Sequence, residues 1–564
     1  MTDARTTDEP IASLDPTSDL FLDVGAMRMT TVDGNRLAVI RTTDGVHALD
    51  NACPHQGYGL VTGELGADAA GDAVVTCQWH NWKFRVSDGV CTVGEENVLH
   101  HATDVDDRGD VRVTITATSP ADRLAALWPS LRSALGNHYV GQLSRDTVRL
   151  LDNGATPTDV MTAALAATVD HTEDGVDHEV ALAADCLSLS EAATDDDRVL
   201  PLVVGLSGLS EQTRGRTAYA PTGQPADVED LVDLIERERL DEAMVTAAAL
   251  DPTTARGPFV EAASRHHLGY GHGVIYTQKV FELLDRVGPE ATPVLLSQLA
   301  RSLTLMTRED TLPYMRSATR AIAEVDLDAL AALPRTDTDP ATVERLVDAF
   351  LEADEAPIVD AVVAADDGIG VEGLIDIASI GSARRMLRYD PAIERQTGEK
   401  GFGWLQISHG LTHARAARWA LHNEPGPAAA RIALHAIWLL FDTGRYERRH
   451  GVATPVRARG GTHTDRTGGG DTAEAVELSC DAARQAFVER LVADALDDQG
   501  GSFIVVAHLV KTAVAAAEEA AATGSSAPLL ATAAMIDGDR RERFVARNVA
   551  EAIRFVRTGR PPVR

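Results

Sequence analysis

Two short strings constrain this chain more than anything else in its 564 residues: Cys53-Pro54-His55-Gln56-Gly57 and Cys77-Gln78-Trp79-His80. Thiolate and neutral imidazole are good donors for zinc and iron, and two of each in neighbouring loops make a four-donor site. On ligand count alone, Cys-x-His, a gap of 21 residues and Cys-x-x-His would suit a tetrahedral zinc site. The flanks point elsewhere. Gly57 follows the first loop, Trp79 precedes the second histidine, and Trp82 and Phe84 lead into a turn at Ser87-Asp88-Gly89. Upstream, FLDVGAMRMTTVDGNRLAVIRTTDGVHALDN alternates in the manner of strands joined by Asp-Gly turns, and DVRVTITAT closes the set. Five cysteines are too few for a disulfide scaffold of this size, and the odd count points to metal or free thiols.

With these flanks, residues 18–118 resemble a Rieske-type 2Fe–2S domain, of the ferredoxin-like kind that also opens the large subunits of ring-hydroxylating oxygenases. The resemblance implies that Cys53 and Cys77 hold one iron and His55 and His80 the other. Exchanging two thiolates for neutral imidazoles removes negative charge and raises the potential above that of an all-cysteine cluster. Respiratory Rieske proteins brace the two loops with an extra disulfide. Gln56, Gly57 and Tyr58 occupy the comparable positions here, and Cys91 has no evident partner. That implies the lower-potential form, passing electrons singly. Cys91, Cys186 and Cys480 are expected to be buried free thiols.

After Pro120 strand alternation stops, and Ala- and Leu-rich helical periodicity runs to about residue 558. The length alone would suggest three to four domains, but the chain aligns with itself. LVDLIERERLDEAMVTAAALD from Leu231 matches LVDAFLEADEAPIVDAVVAAD from Leu346, with weaker copies from Leu150 and Phe487. Each is followed by a helix opening near a histidine (His178, His272, His413 and His508) and then by a second apolar helix. These histidines are separated by 94, 141 and 95 residues, so the outer intervals match. Hairpins of this kind cannot bury their apolar faces alone and are expected to pack together. The expected architecture is multi-domain: a disordered segment 1–17, an all-β domain 18–118, and an all-α domain 119–564 of about four related histidine-containing hairpins.

A repeated histidine can simply fill one structural niche. Imidazole is nevertheless an odd choice for a core four times over, because its nitrogens need partners when buried. His409 and His413 stand at i, i+4, a spacing that puts both rings on one helix face where they can share a metal. His178, His272, His409, His413 and His508 are therefore candidates for a second metal site, with iron or another transition metal expected. His178, His272, His413 and His508 are the candidate catalytic set. The strings SRHHLGYGHGVIYTQKVFELLD and ISHGLTHARAARWAL, in this helical setting, resemble the questin oxidase-like family. Its members include enzymes that cleave anthraquinone rings in a Baeyer–Villiger manner. The resemblance implies oxygen insertion into a polycyclic aromatic or quinone-like substrate.

Other chemistries find little support. The Asp-x-x-His-x-x-x-x-His iron motif of ring-hydroxylating oxygenases fails at Ser264, although His267 and His272 keep the His-to-His gap. No Gly-x-Gly-x-x-Gly follows a strand, and the Gly-rich stretch 459–471 lacks a P-loop lysine. That stretch reads as a mobile loop, with His463 a candidate substrate contact. A net charge of −33 would repel polyanions, which argues against nucleic acid and anionic membrane as partners. The polar, acidic start is unlike a targeting peptide, and a cytoplasmic location is expected. The sequence thus predicts a redox enzyme whose cluster takes electrons from a reductase or reduced ferredoxin and passes them to a His-rich oxygenase domain. Two alternatives are an electron-transfer protein whose helices form a docking platform, and a metal-free oxygenase using the histidines as general bases. The oligomeric state is left open.

Overall fold

The computed structural model describes residues 23–559, apart from 33, 108–110, 117, 337–338, 390–402, 451–480, 498–502 and 537–543. The expectations for segment 1–17, Cys480 and His463 in its Gly-rich loop fall outside the described residues.

The N-terminal region folds as two antiparallel sheets. One contains β1 (Met27–Val32), β2 (Asn35–Arg41), β3 (Val46–Asp50), β8 (His100–Val105) and β9 (Val111–Thr114), in that spatial order. The other contains β4 (Glu64–Ala67), β5 (Ala73–Thr76), β6 (Lys83–Arg85) and β7 (Cys91–Val93). The apolar run Leu37-Ala38-Val39-Ile40 in β2 breaks simple alternation because both faces of this strand are covered. Ala38 and Ile40 pack with Leu49, Leu60, Val75, Phe84 and Val86, while Leu37 packs on the other side with Val32, Ala48 and Val113. Cys53 and Cys77 belong to the first of these cores, so the loops that carry them are anchored in apolar packing. The expected turn at Asp44-Gly45 closes β2 onto β3 through Thr42 N–H donating to Gly45 O at 2.9 Å.

The change of pattern at Pro120 is where helix begins: α1 spans Pro120–Asn137 and α2 spans Val140–Asp152. The last helix ends at Thr558. By packing, the described residues within 23–134, 139–155 and 547–559 form one unit, and those within 135–138 and 156–546 the other. The first unit therefore takes in helical segments beyond the strand-to-helix change. In the second unit the expected hairpins are present. Helix His178–Ala192 packs on Val199–Thr213, His272–Leu284 on Thr292–Leu305, Trp404–Asn423 on Pro427–Asp442, and Phe503–Thr523 on Ala527–Ile536. Among the described residues no helix is long and apolar enough to cross a membrane.

Candidate functional site

The two loops of the β-domain share one backbone plan. Cys53 N–H donates to Tyr58 O at 2.8 Å and Gly57 N–H returns to Cys53 O at 2.7 Å. Cys77 N–H donates to Trp82 O at 2.8 Å and Asn81 N–H returns to Cys77 O at 3.0 Å. Each loop needs a left-handed residue at its fifth position, supplied by Gly57 (φ 77°) and Asn81 (φ 61°), residue types that tolerate it. The closure leaves backbone N–H groups of His55 and Gln56 donating to the Cys53 sulfur, and those of Trp79 and His80 donating to Cys77. Such donors favour thiolate and tune a bound cluster.

All four predicted side chains of this region come together. Cys53 and Cys77 are free and buried. Their thiols hydrogen-bond to each other, which raises Cys53 and lowers Cys77. The His55 and His80 rings meet edge to face with centroids 4.2 Å apart. His55 is pushed down to about 4, first by burial and then by the charge of Arg145 and by His80, so it is a neutral donor. Its Nδ1 is buried with no hydrogen-bond partner among the described residues, and Trp82 stacks on the ring at 5.0 Å. Two thiols and two imidazoles, one with an orphaned nitrogen, fit the donor set of a [2Fe–2S] cluster with mixed ligands. Of the other cysteines, Cys186 is buried as expected, whereas Cys91 is only half-buried.

The helical unit assembles a second group. His178, His272, His409 and His508 each offer a ring nitrogen, and these atoms all lie within 4.8 Å of one another. Going round the group, ring centroids are 4.7 Å apart for His178–His272, 4.4 Å for His272–His409, 5.1 Å for His409–His508 and 4.7 Å for His508–His178. The Nε2 of His272 is 3.0 Å from that of His178 and 2.9 Å from that of His409. Ligand bonds of 2.0–2.1 Å at right angles would place nitrogens about 3 Å apart.

The local chain explains why these rings face inward. His178 and His272 are the first residues of their helices, the former behind the N-cap Asp177, whose side chain accepts from Glu179 N–H. His409 and His508 each lie five residues into a helix, at 4% and 1% exposure. Three of the rings are held from behind at Nδ1. His272 donates to Gly269 O at 2.5 Å, His508 donates to Ile504 O at 2.7 Å, and His178 meets the Tyr276 hydroxyl at 3.2 Å. A bonded Nδ1–H fixes the tautomer that leaves the Nε2 lone pair for a metal. Burial depresses all four below the ordinary imidazole range, His272 to about 3, so they are neutral near pH 7.

His413 is placed differently from the expectation. It sits on the same helix face as His409 but one turn, about 6 Å, further along the axis. There its Nδ1 donates to Gly271 O at 3.4 Å. It belongs instead with His267 and His435, each of whose rings is 5.3 Å from the next through His267. Gly271, at φ 93°, is required here because a Cβ would come within 2.9 Å of His413 Nδ1. Sequence reading missed Tyr276 and Lys511. Lys511 is 2% exposed, lies one turn beyond His508, and acts electrostatically on all four rings. Its Nζ has no hydrogen-bond partner among the described residues, and burial brings it down to about 7. The scarcity of lysine in the chain was the available signal.

Residues 14–101 match the family model of the Rieske [2Fe-2S] domain. Over 73 residues the chain is 40% identical to cholesterol 7-desaturase of Xenopus laevis, covering 13% of this chain and 15% of that protein. Over 65 residues it is 34% identical to the ferredoxin component of the alkene monooxygenase system of Xanthobacter autotrophicus, covering 12% and 50% respectively. The chain thus spans half the length, or less, of these relatives. Among solved structures, the ferredoxin of carbazole 1,9a-dioxygenase from Nocardioides aromaticivorans IC177 aligns at 26% identity and a TM-score of 0.16, over 19% of this chain and 97% of that one. The family-model match includes both paired loops. The N-terminal β-domain of this chain is a Rieske [2Fe-2S] domain, and it implies a 2Fe–2S cluster.

Proposed function

We propose that the chain is an iron–sulfur oxidoreductase in which a Rieske cluster supplies electrons to an oxygenase centre in the helical unit. Cys53 and Cys77 hold one iron of the cluster, and His55 and His80 hold the other. The electron donor is a reductase or a reduced ferredoxin, a reading supported by the likeness to a monooxygenase ferredoxin. His178, His272, His409 and His508 hold a second transition metal, iron being the first choice. The observation that carries this reading is the convergence of four neutral ring nitrogens within 4.8 Å of one another.

When bound, that metal supplies one-electron chemistry and Lewis acidity. The protein's own contribution is orientation and dryness. The carbonyls of Gly269 and Ile504 hold His272 and His508 in the tautomer that presents Nε2. The Tyr276 hydroxyl sets the His178 ring in the same way and can carry a proton at His178 Nδ1. His267, His413, His435 and Trp438 close the neighbouring interior with buried rings. The substrate class is a polycyclic aromatic or quinone-like molecule, oxygenated in a Baeyer–Villiger or monooxygenase manner, as the helical strings' resemblance suggests.

Metal and sulfide analysis of the purified full-length chain tests the proposal. The expected result is two irons and two acid-labile sulfides for the cluster, plus one further transition metal that His272→Ala removes without changing the Rieske spectrum. Two irons, two sulfides and no other metal would overturn it, and would leave the helices as a docking platform.

A further inference from the structure

Helix α2 brings a buried cation to the cluster loops. Gln142, Arg145, Asp146 and Arg149 recur at the three- and four-residue spacing of one helix face. Glu96, from the segment between β7 and β8, accepts from Arg149 at 2.5 Å and from Gln142 at 3.3 Å. Asp146 accepts from Gln142 at 2.7 Å and has Arg149 at 3.8 Å. Arg149 on this face also lines a cavity of about 740 Å³, together with Ser130, Glu96 and Pro54, the residue between Cys53 and His55.

Arg145 is left over from these pairings. It is 6% exposed, and its one hydrogen bond among the described residues is a neutral one, to Gln142 Oε1 at 2.6 Å. Among the described residues its Nε has no partner, and no carboxylate lies within 4 Å of the guanidinium. A buried charge of this kind is strongly unfavourable unless something of opposite sign faces it. Glu96 and Asp146 act on it from a distance but are engaged by Arg149 and Gln142. Pro54, between the ligands Cys53 and His55, lines the same cavity as Arg149 and Glu96, and the charge of Arg145 is felt at both Cys53 and His55.

A 2Fe–2S centre on two thiolates and two neutral imidazoles is uncharged when oxidised and carries one negative charge when reduced. We propose that Arg145 is the counter-charge of the reduced cluster: a positioning residue from outside the matched Rieske segment that raises the reduction potential. The missing carboxylate partner is then intelligible, because a permanent anion there would cancel the effect. This role is independent of any chemistry at the four histidines.

The test is the cluster's midpoint potential in the full-length holoprotein, titrated with dithionite and read by visible circular dichroism and electron paramagnetic resonance. Arg145→Gln is expected to lower the equilibrium constant for one-electron reduction about tenfold, equivalent to about 59 mV. Arg145→Lys, which keeps the charge, is expected to restore most of that loss. Gln142→Glu leaves Arg145 in place but gives it a carboxylate partner, and is also expected to lower the potential. An Arg145→Gln protein with full iron and sulfide and an unchanged potential would overturn the role. If that variant does not hold the cluster, an unchanged potential in Gln142→Glu overturns it equally.

Discussion

The two candidate centres solve the same problem, holding imidazoles at a metal, by opposite means. The Cys53–His80 group is built from two six-residue loops, each closed by its own backbone hydrogen bonds and seated in one apolar core. The His178–His508 group has no local motif. Its four rings arrive on four helices, and what aims them is helix packing plus, for three of them, a carbonyl or hydroxyl behind Nδ1. A centre made of loops can be recognised from a string of residues. One made by packing can be recognised only from the fold.

Losing a ligand should separate the two centres most sharply. Cys77→Ser removes a thiolate and is expected to abolish the cluster's iron, sulfide and visible spectrum while the second metal stays. Loss of both metals together would show that the centres are not built independently. Acid should act in the opposite direction, on the helical unit. His267, His413 and His435 are fully buried and depressed, chiefly by burial, with His413 at about 4 and His435 at about 3. The unfolded chain therefore binds more protons than the folded one below about pH 6.5. Stability is complete above that pH and falls as pH drops toward the folded values. Each of these histidines contributes a slope of up to about 1.4 kcal/mol per pH unit. Denaturant midpoints followed by far-ultraviolet circular dichroism from pH 7 to pH 4.5 would measure it, and a flat profile would contradict the burial.

Smaller effects test which histidines belong to which group. His272→Ala removes the ring that adjoins both His178 and His409. It is expected to weaken metal binding at least 100-fold by competition with a chelator, since even outer partners of metal ligands are worth 10–100-fold. His413→Ala, beside it in sequence patterning, is expected to leave that affinity within a few-fold. Equal losses would return His413 to the metal set. Tyr276→Phe deletes only the hydroxyl behind His178 and should fall between the two, costing about tenfold in metal affinity.

Much of the fold was legible. The Asp-Gly turn before β3, the switch from strand to helix at Pro120 and the end of helix near residue 558 follow from local patterning, which strands and helices obey residue by residue. The cluster loops were legible because their ligands are close in sequence. The second group was legible only in kind. Equal intervals singled out His413 alongside His508, yet both His409 and His508 lie five residues into their helices. Spacing of i, i+4 shows that two rings share a face, but not which turn meets the neighbouring helices. Arg145 was invisible for a related reason, because nothing in VGQLSRDTVRLLD says that this face abuts the segment at Glu96, 46 residues before Gln142.

The common closure of the two cluster loops separates two jobs that are usually confounded. Both loops bond their first residue to their fifth and sixth in the same way, yet one carries its imidazole at the third position and the other at the fourth. Loop shape is therefore indifferent to where the ligand is mounted. Exchanging Trp79 and His80 should leave a folded hairpin that can no longer seat its inorganic cargo. Such a chain would be a stable blank, in which the cost of folding the domain could be weighed without the cost of assembling the cluster.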